Sequence, residues 1–172
     1  MKKRLDGKEN IRNVWLLGSS SFLNDVGGRM IEPILPFLIT SLGGGGVAIG
    51  LASGLREGLA NLLKIFGGWA SDRYGKRKFF ILLGYVLSSI FKFFIAFANS
   101  WYWLVAFVSL ERFGKFRDAP RDAVVSYSKK TTGKNLGIVD MMDTLGGIVG
   151  TLIVLVLFWK FAFDLKKVIL IA

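Results

Sequence analysis

The sequence predicts an all-α membrane protein: a helical bundle of five transmembrane helices and the start of a sixth, with its N-terminus in the cytoplasm. Three observations carry that prediction. The 172 residues are 52% hydrophobic with 21 glycines and a mean hydropathy of +0.49, whereas ordinary soluble domains hold an apolar share, glycine included, of about 45–50%. The apolar residues gather in runs of the ~20 residues that a helix needs to cross a hydrocarbon core. The cations, which give a net charge of +11, collect in alternate connections between those runs.

In chain order, residues 1–13 form a cytoplasmic tail carrying Lys2, Lys3, Arg4, Lys8 and Arg12. The basic start leads into an apolar run longer than a signal h-region, with no small-residue cleavage site behind it. The spans are Val14–Thr40, Val47–Ser71, Phe79–Asn99, Trp101–Tyr127 and Leu136–Phe163, with an incomplete start at Val168. Ser41–Gly46 is an uncharged glycine-rich turn. Asn99–Ser100 is a second uncharged turn, beside which Trp101, Tyr102 and Trp103 fit an interfacial aromatic belt. Lipid offers no partner to bare backbone groups, so runs of this length are helices; the alternation of a membrane β-strand is absent from Ile153–Phe158.

Orientation follows from Lys and Arg in the short connections. The second turn carries Arg73, Lys76, Arg77 and Lys78 and the fourth Lys129, Lys130 and Lys134, whereas the first and third carry none. Cations mark the cytoplasmic side, which places the Asp72–Lys78 turn inside with the N-terminus. The basic residues lie between apolar runs and not on one face of a soluble fold, so they read as topology and no nucleic-acid partner is expected. With no Cys and no His, no metal, cofactor or thiol chemistry is expected, and no catalytic constellation stands out. The chain stops at Ile171-Ala172 within an apolar stretch, which leads to the expectation that residues 1–172 are a single, partial six-helix half of a longer polypeptide.

Ionisable residues inside a span are costly and mark function by default. The first span holds Asp25, Arg29 and Glu32 at spacings of four and three, one stripe of a helix. The second adds Arg56, and Glu57, Asn61 and Lys64 as a further stripe. The fourth is the most charged, with Glu111, Arg112 and Lys115 near mid-depth and Arg117, Asp118, Arg121 and Asp122 beyond them; the fifth adds Asp140 and Asp143. Asp25, Glu32, Glu57 and Glu111 nearly balance Arg29, Arg56, Arg112 and Lys115, so mutual pairing is expected. Lys64 and Lys92 are equally readable as snorkelling anchors. Pro33, Pro36 and Pro120 lie in the two most charged spans, and breaks in those helices would point to a binding site. Gly146 and Gly150 let another helix approach closely.

The stretch Gly68-Trp-Ala-Ser-Asp72-Arg73-Tyr-Gly75-Lys76-Arg77-Lys78 resembles the signature loop of the major facilitator superfamily, Gly-x-x-x-Asp-Arg-x-Gly-Arg-Arg/Lys-Lys/Arg, in the same turn and orientation. Arg112 to Ala123 resembles a fourth-helix motif of a prokaryotic group in that superfamily, Arg-x-Gly-Lys-Gly-x-Arg-x-x-Pro-Arg-Asp-Ala, with Phe116 where that group has glycine and Arg117 one residue early. Met142 to Gly150 is similar to that group's fifth helix, with Thr151 in place of a proline.

The resemblance implies the N-terminal part of a secondary transporter working by alternating access in the cell membrane, with the missing C-terminal half or a second copy as partner, and the carboxylates inside the spans, whose burial favours their protonated form, add the expectation of a small solute moved with proton coupling. Substrate or ion coupling would fall to Asp25, Arg29, Glu32, Arg56, Glu57, Glu111, Arg112 and Lys115. A conformational latch would use Gly68, Asp72, Arg73, Gly75 and Arg77, and a cytoplasmic network between the fourth and fifth helices Arg121, Asp122 and Asp143. The alternative is a truncated or degenerate membrane module without transport activity, acting as a partner or half-transporter.

Overall fold

The computed structural model describes residues 7–126 and 131–161, and every regular element among them is helical. They are α1 (Gly7–Ser41), α2 (Gly46–Tyr74), α3 (Arg77–Ala96), α4 (Trp101–Glu111), a 3-10 segment (Arg112–Arg117), α5 (Asp118–Val125) and α6 (Thr132–Phe161). The fourth predicted span is thus three pieces in succession: α4, the 3-10 segment and α5. The predicted sixth start and residues 128–130 of the fourth connection lie outside the described residues.

Polarity is inverted relative to a soluble fold. Ile65 and Trp159 are 72% and 87% exposed, whereas Ser21, Arg117 and Arg121 are buried. Apolar faces of this extent mark a surface that meets lipid or another protein. By length and composition, α3 and α6 are each able to cross a membrane; α1, α2 and the fourth span carry more charge, of which Arg56, Glu111, Arg112, Arg117, Asp118 and Arg121 are buried. α1 packs along α6, and α2 and α3 pack around the fourth span. The glycine pair of α6 serves the first contact as expected: a Cβ at Gly146 would lie 2.7 Å from the Phe22 carbonyl oxygen, and one at Gly150 would overlap that of Val26. An apolar cluster including Ile31, Leu35, Ile39, Ala52, Ile95 and Leu104 closes the end of the bundle that holds the Gly43–Gly45 turn.

Two expectations are corrected. The segment read as a cytoplasmic tail is helical from Gly7, continuous with the first span. α1 also runs unbroken through Pro33 and Pro36, although each proline removes the donor that the carbonyl four residues earlier, of Arg29 or Glu32, would otherwise meet. Thr40 Oγ1 donates to the carbonyls of Pro36 (3.1 Å) and Phe37 (2.9 Å), and Arg56 Nη2 donates to that of Gly28 (3.4 Å). The fourth span does change winding, but ahead of its proline: Pro120 sits in the first turn of α5, where a missing N–H is tolerated.

That change of winding brings three elements to van der Waals contact. The carbonyl of Phe116, which has no N–H at residue 120 to accept, lies against Gly67 of α2, where a Cβ would overlap it. Gly114 faces α3, where a Cβ would stand 2.7 Å from both the Gly84 oxygen and Ser88 Cβ. Overpacking such a contact costs about 1–3 kcal/mol. Gly114→Val is therefore expected to lower the melting temperature in detergent, with Gly58→Ala, whose Cβ would meet nothing within 4 Å, as an unaffected control.

Candidate functional site

In a 3-10 helix side chains three apart eclipse one another, so the segment 112–117 sorts its residues into rows. Glu111, Gly114 and Arg117 face α3. Phe116 and Ala119 meet α2 at Gly67 and Gly68. Arg112, Lys115, Asp118 and Arg121, each three from the next, form a charged row that α5 continues toward α1 and α6.

Asp25 of α1 receives the most from these rows. Its Oδ1 lies 3.4 Å from Lys115 Nζ and 3.8 Å from Arg117 Nη2, and it accepts from Asn24 Nδ2 at 3.3 Å. Asn24 is held in turn by Lys92 of α3, whose Nζ donates to the Asn24 carbonyl at 2.8 Å and to its Oδ1 at 3.4 Å. About two helical turns on, Glu32 pairs with Arg29 at 2.7 Å and with Arg56 at 3.2 Å. Glu111 accepts from Ser88 of α3 at 2.9 Å and pairs with Arg112 at 3.2 Å. Asp118 is shared by Lys64 (3.6 Å), Lys115 (3.8 Å) and Arg117 (3.9 Å). Arg117, 1% exposed, also lies over the Tyr85 ring at 4.3 Å. Arg121 donates to Ser21 and to Asp143 (2.8 Å) and pairs with Asp122 (3.0 Å), tying α1, α5 and α6 together.

These pairs border two cavities. One, of about 120 Å³, lies between α1, α2 and the fourth span; Asp25, Glu32, Glu57, Lys64, Arg112 and Lys115 are in its wall. The other, of about 500 Å³, lies between α1 and α6 and is bounded by Asp143, Thr144 and Thr151. Asp25, Arg29 and Glu32 border both. A change of charge on that stripe is therefore felt on two sides of α1.

The predicted latch sits at the α2–α3 turn. Gly75 ends α2 at φ 66°, a left-handed conformation that favours glycine, with its N–H bonded to the Ser71 carbonyl at 3.0 Å. Asp72, exposed, pairs at 2.6 Å with Arg77, whose other nitrogen donates to the Ala123 carbonyl at 3.3 Å, clipping the turn to α5. Arg73 stacks 5.5 Å over Trp69. Gly68 is the looser of two adjacent glycines, its Cβ position 3.3 Å from Ala119, whereas Gly67 tolerates none.

The structure thus brings Asp25, Arg29, Glu32, Arg56, Glu111, Arg112 and Lys115 into ion pairs, with Arg56 buried between α1 and α2 instead of bordering the cavities. Glu57 reaches the cavity wall but joins no ion pair among the described residues. Sequence reasoning missed Asn24, Ser21, Ser88 and Tyr85, uncharged groups that position charged ones. It placed Arg117 away from Asp25, although the three-residue spacing of Arg112, Lys115, Asp118 and Arg121 was a readable sign of altered winding.

Comparison with known proteins agrees with this architecture. A bacterial homolog of the human lysosomal transporter Spinster, in an inward-facing and unoccupied conformation, superposes with a TM-score of 0.73 at 21% identity, over 95% of this chain and 39% of that one. An uncharacterized MFS-type transporter of Methanocaldococcus jannaschii is 47% identical over 99% of this chain and 44% of its own length. The multidrug resistance protein MdtH of Photorhabdus laumondii is 31% identical over 67% of this chain and 29% of its own. The chain spans less than half the length of these relatives. Since the family model of the Major Facilitator Superfamily matches residues 17–165, nearly the whole of the charged bundle just described, the chain belongs to that superfamily of multi-pass membrane transporters.

Proposed function

We propose that the chain is the N-terminal part of a secondary transporter that moves a small solute by alternating access with proton coupling, in the cell membrane. The N-terminus and the Asp72–Lys78 turn lie in the cytoplasm, and a C-terminal half or a second copy completes the solute path. The observation that carries the reading is Asp25: a carboxylate held by Lys115, Arg117 and Asn24 on a stripe that borders both cavities. Protonating it cancels its attraction for two cations from the fourth span, so occupancy of one site alters the contacts between α1 and that span. The Asp72–Arg77 clip and the Arg121–Asp143 tie are the conformational elements. A relative described as an MFS-type transporter favours this over a module without transport.

The test is uptake by the full-length protein in proteoliposomes under an imposed proton gradient, screened across solute classes. Asp25→Asn is expected to reduce gradient-driven uptake to background while sparing solute counterflow, which needs no net proton movement. Driven uptake that survives the substitution overturns Asp25 as the coupling group.

A further inference from the structure

Most of the ionisable residues around the smaller cavity are engaged with one another: Arg29 with Glu32, Lys115 with Asp25, Arg112 with Glu111. Of the two that α2 contributes, Glu57 is an exception and Lys64 is only partly engaged. Glu57 joins no ion pair among the described residues, and its side chain opens to the cavity. Lys64, 46% exposed, has only a 3.6 Å approach to Asp118, a carboxylate that Lys115 and Arg117 already share. Between them Asn61 borders the same cavity. Spacings of four and three place the three residues on one face of α2, and at 1.5 Å rise per residue the two charged positions stand about 10 Å apart along the axis. Both side chains lean toward the helix N-terminus, so their separation is kept. The neighbouring Arg56 is spent elsewhere, on Glu32 and the Gly28 carbonyl, and does not neutralise Glu57.

We infer that this face of α2 binds a zwitterionic solute whose ammonium and carboxylate stand well apart, with a hydrogen-bonding group between them. Glu57 takes the ammonium and Lys64 the carboxylate. Asn61, whose amide both donates and accepts, takes the middle. The inference rests on the transporter reading above and names the solute class for the same cavity. Its length follows from the geometry. Charge-assisted hydrogen bonds of about 2.8 Å at each end leave room for charges ~5 Å apart when the solute lies in line, and up to ~10 Å when it lies alongside α2. An α-amino acid, with its two charges on one carbon, is too short. A glycylglycine or triglycine skeleton spans the distance and presents an amide to Asn61.

The experiment is equilibrium binding to the detergent-solubilised full-length protein of glycine, glycylglycine and triglycine, together with N-acetylglycylglycine, which lacks the ammonium, and glycylglycinamide, which lacks the carboxylate. Glycylglycine or triglycine is expected to bind at least about tenfold more tightly than glycine and than either blocked form, the worth of one charge-assisted contact. Glu57→Gln should erase the penalty for acetylation and Lys64→Met the penalty for amidation. Equal affinity for free and blocked forms overturns the inference, as does binding by none of the three free solutes; these arms use the unmodified protein and do not depend on any variant folding. Uptake of the same solutes into proteoliposomes separates the two readings. Binding without uptake keeps the solute class and overturns transport, whereas uptake of other solutes with no preference within this series keeps transport and overturns the class.

Discussion

Arg121→Met is expected to be among the most damaging single substitutions in the bundle, lowering stability by about 3–5 kcal/mol, the usual cost of removing one partner from a buried ion pair. Arg121 is 4% exposed and reaches α1 through Ser21, α6 through Asp143 at 2.8 Å, and its own helix through Asp122 at 3.0 Å. Methionine fills much of the volume but leaves Asp143 with no cation, and one oxygen of that carboxylate already has no hydrogen-bond partner among the described residues. Thermal and denaturant unfolding of the full-length protein in detergent would read the loss. Pairing the change with Asp143→Leu should recover most of it, since replacing a whole buried ion pair by apolar groups is often close to neutral. A loss for Arg121→Met of no more than the ~1 kcal/mol typical of an exposed pair would show that the three helices are held by packing alone. In a protein of this family the contrast matters beyond stability. The double variant keeps the fold and removes the tie, so impaired uptake in it would identify the tie as part of the conformational cycle.

How much of this could be read from the chain depended on whether the deciding interaction was local. Helices were legible because lipid permits little else for long apolar runs, and the turn between α2 and α3 because its cations separate two such runs. The close approach at Gly146 and Gly150 was legible as well, since spacing of small residues along one helix encodes it whatever the partner. The continuity of α1 through Pro33 and Pro36 was not. A proline removes a donor locally, here from the carbonyls of Arg29 and Glu32, and whether the helix then breaks is decided by the packing around it and not by the proline itself. The site shows the same division. Charges inside the spans announced themselves by their cost, but which charge meets which is set by the winding of residues 112–117. Reading that stretch as an α-helix places Arg117 away from Asp25, whereas 3-10 winding turns it into the space between α1 and α3. Gly67, Gly84 and Gly114, which permit that winding to be packed, looked like ordinary membrane-helix glycines until their neighbours were in place.

Lys92 is where the two kinds of reading diverge most, and it supplies the second large effect. Four residues before the end of α3, a lysine is well placed to snorkel to the interface, and its loss would then stay within the ~0.5 kcal/mol of a surface substitution. The structure instead turns it inward, buried, with Nζ bonded to the carbonyl and side chain of Asn24 and with Asn24 donating to Asp25. Lys92→Met should therefore cost about 1.5–3 kcal/mol, the range for a hydrogen bond to a charged group. It should also release the Asn24 amide from the orientation that serves Asp25. The diagnostic is a double-mutant cycle with Asn24→Ala. If Lys92 acts through Asn24, the double variant should be less destabilised than the sum of the singles by about 1 kcal/mol or more, whereas additive effects would return Lys92 to the role of an anchor. Function gives an independent reading of the same relay. Lys92→Met should weaken proton-driven uptake in the otherwise unmodified protein, and Lys92→Arg should restore part of it. Neither should matter further once Asp25 is asparagine, because the group they position no longer titrates.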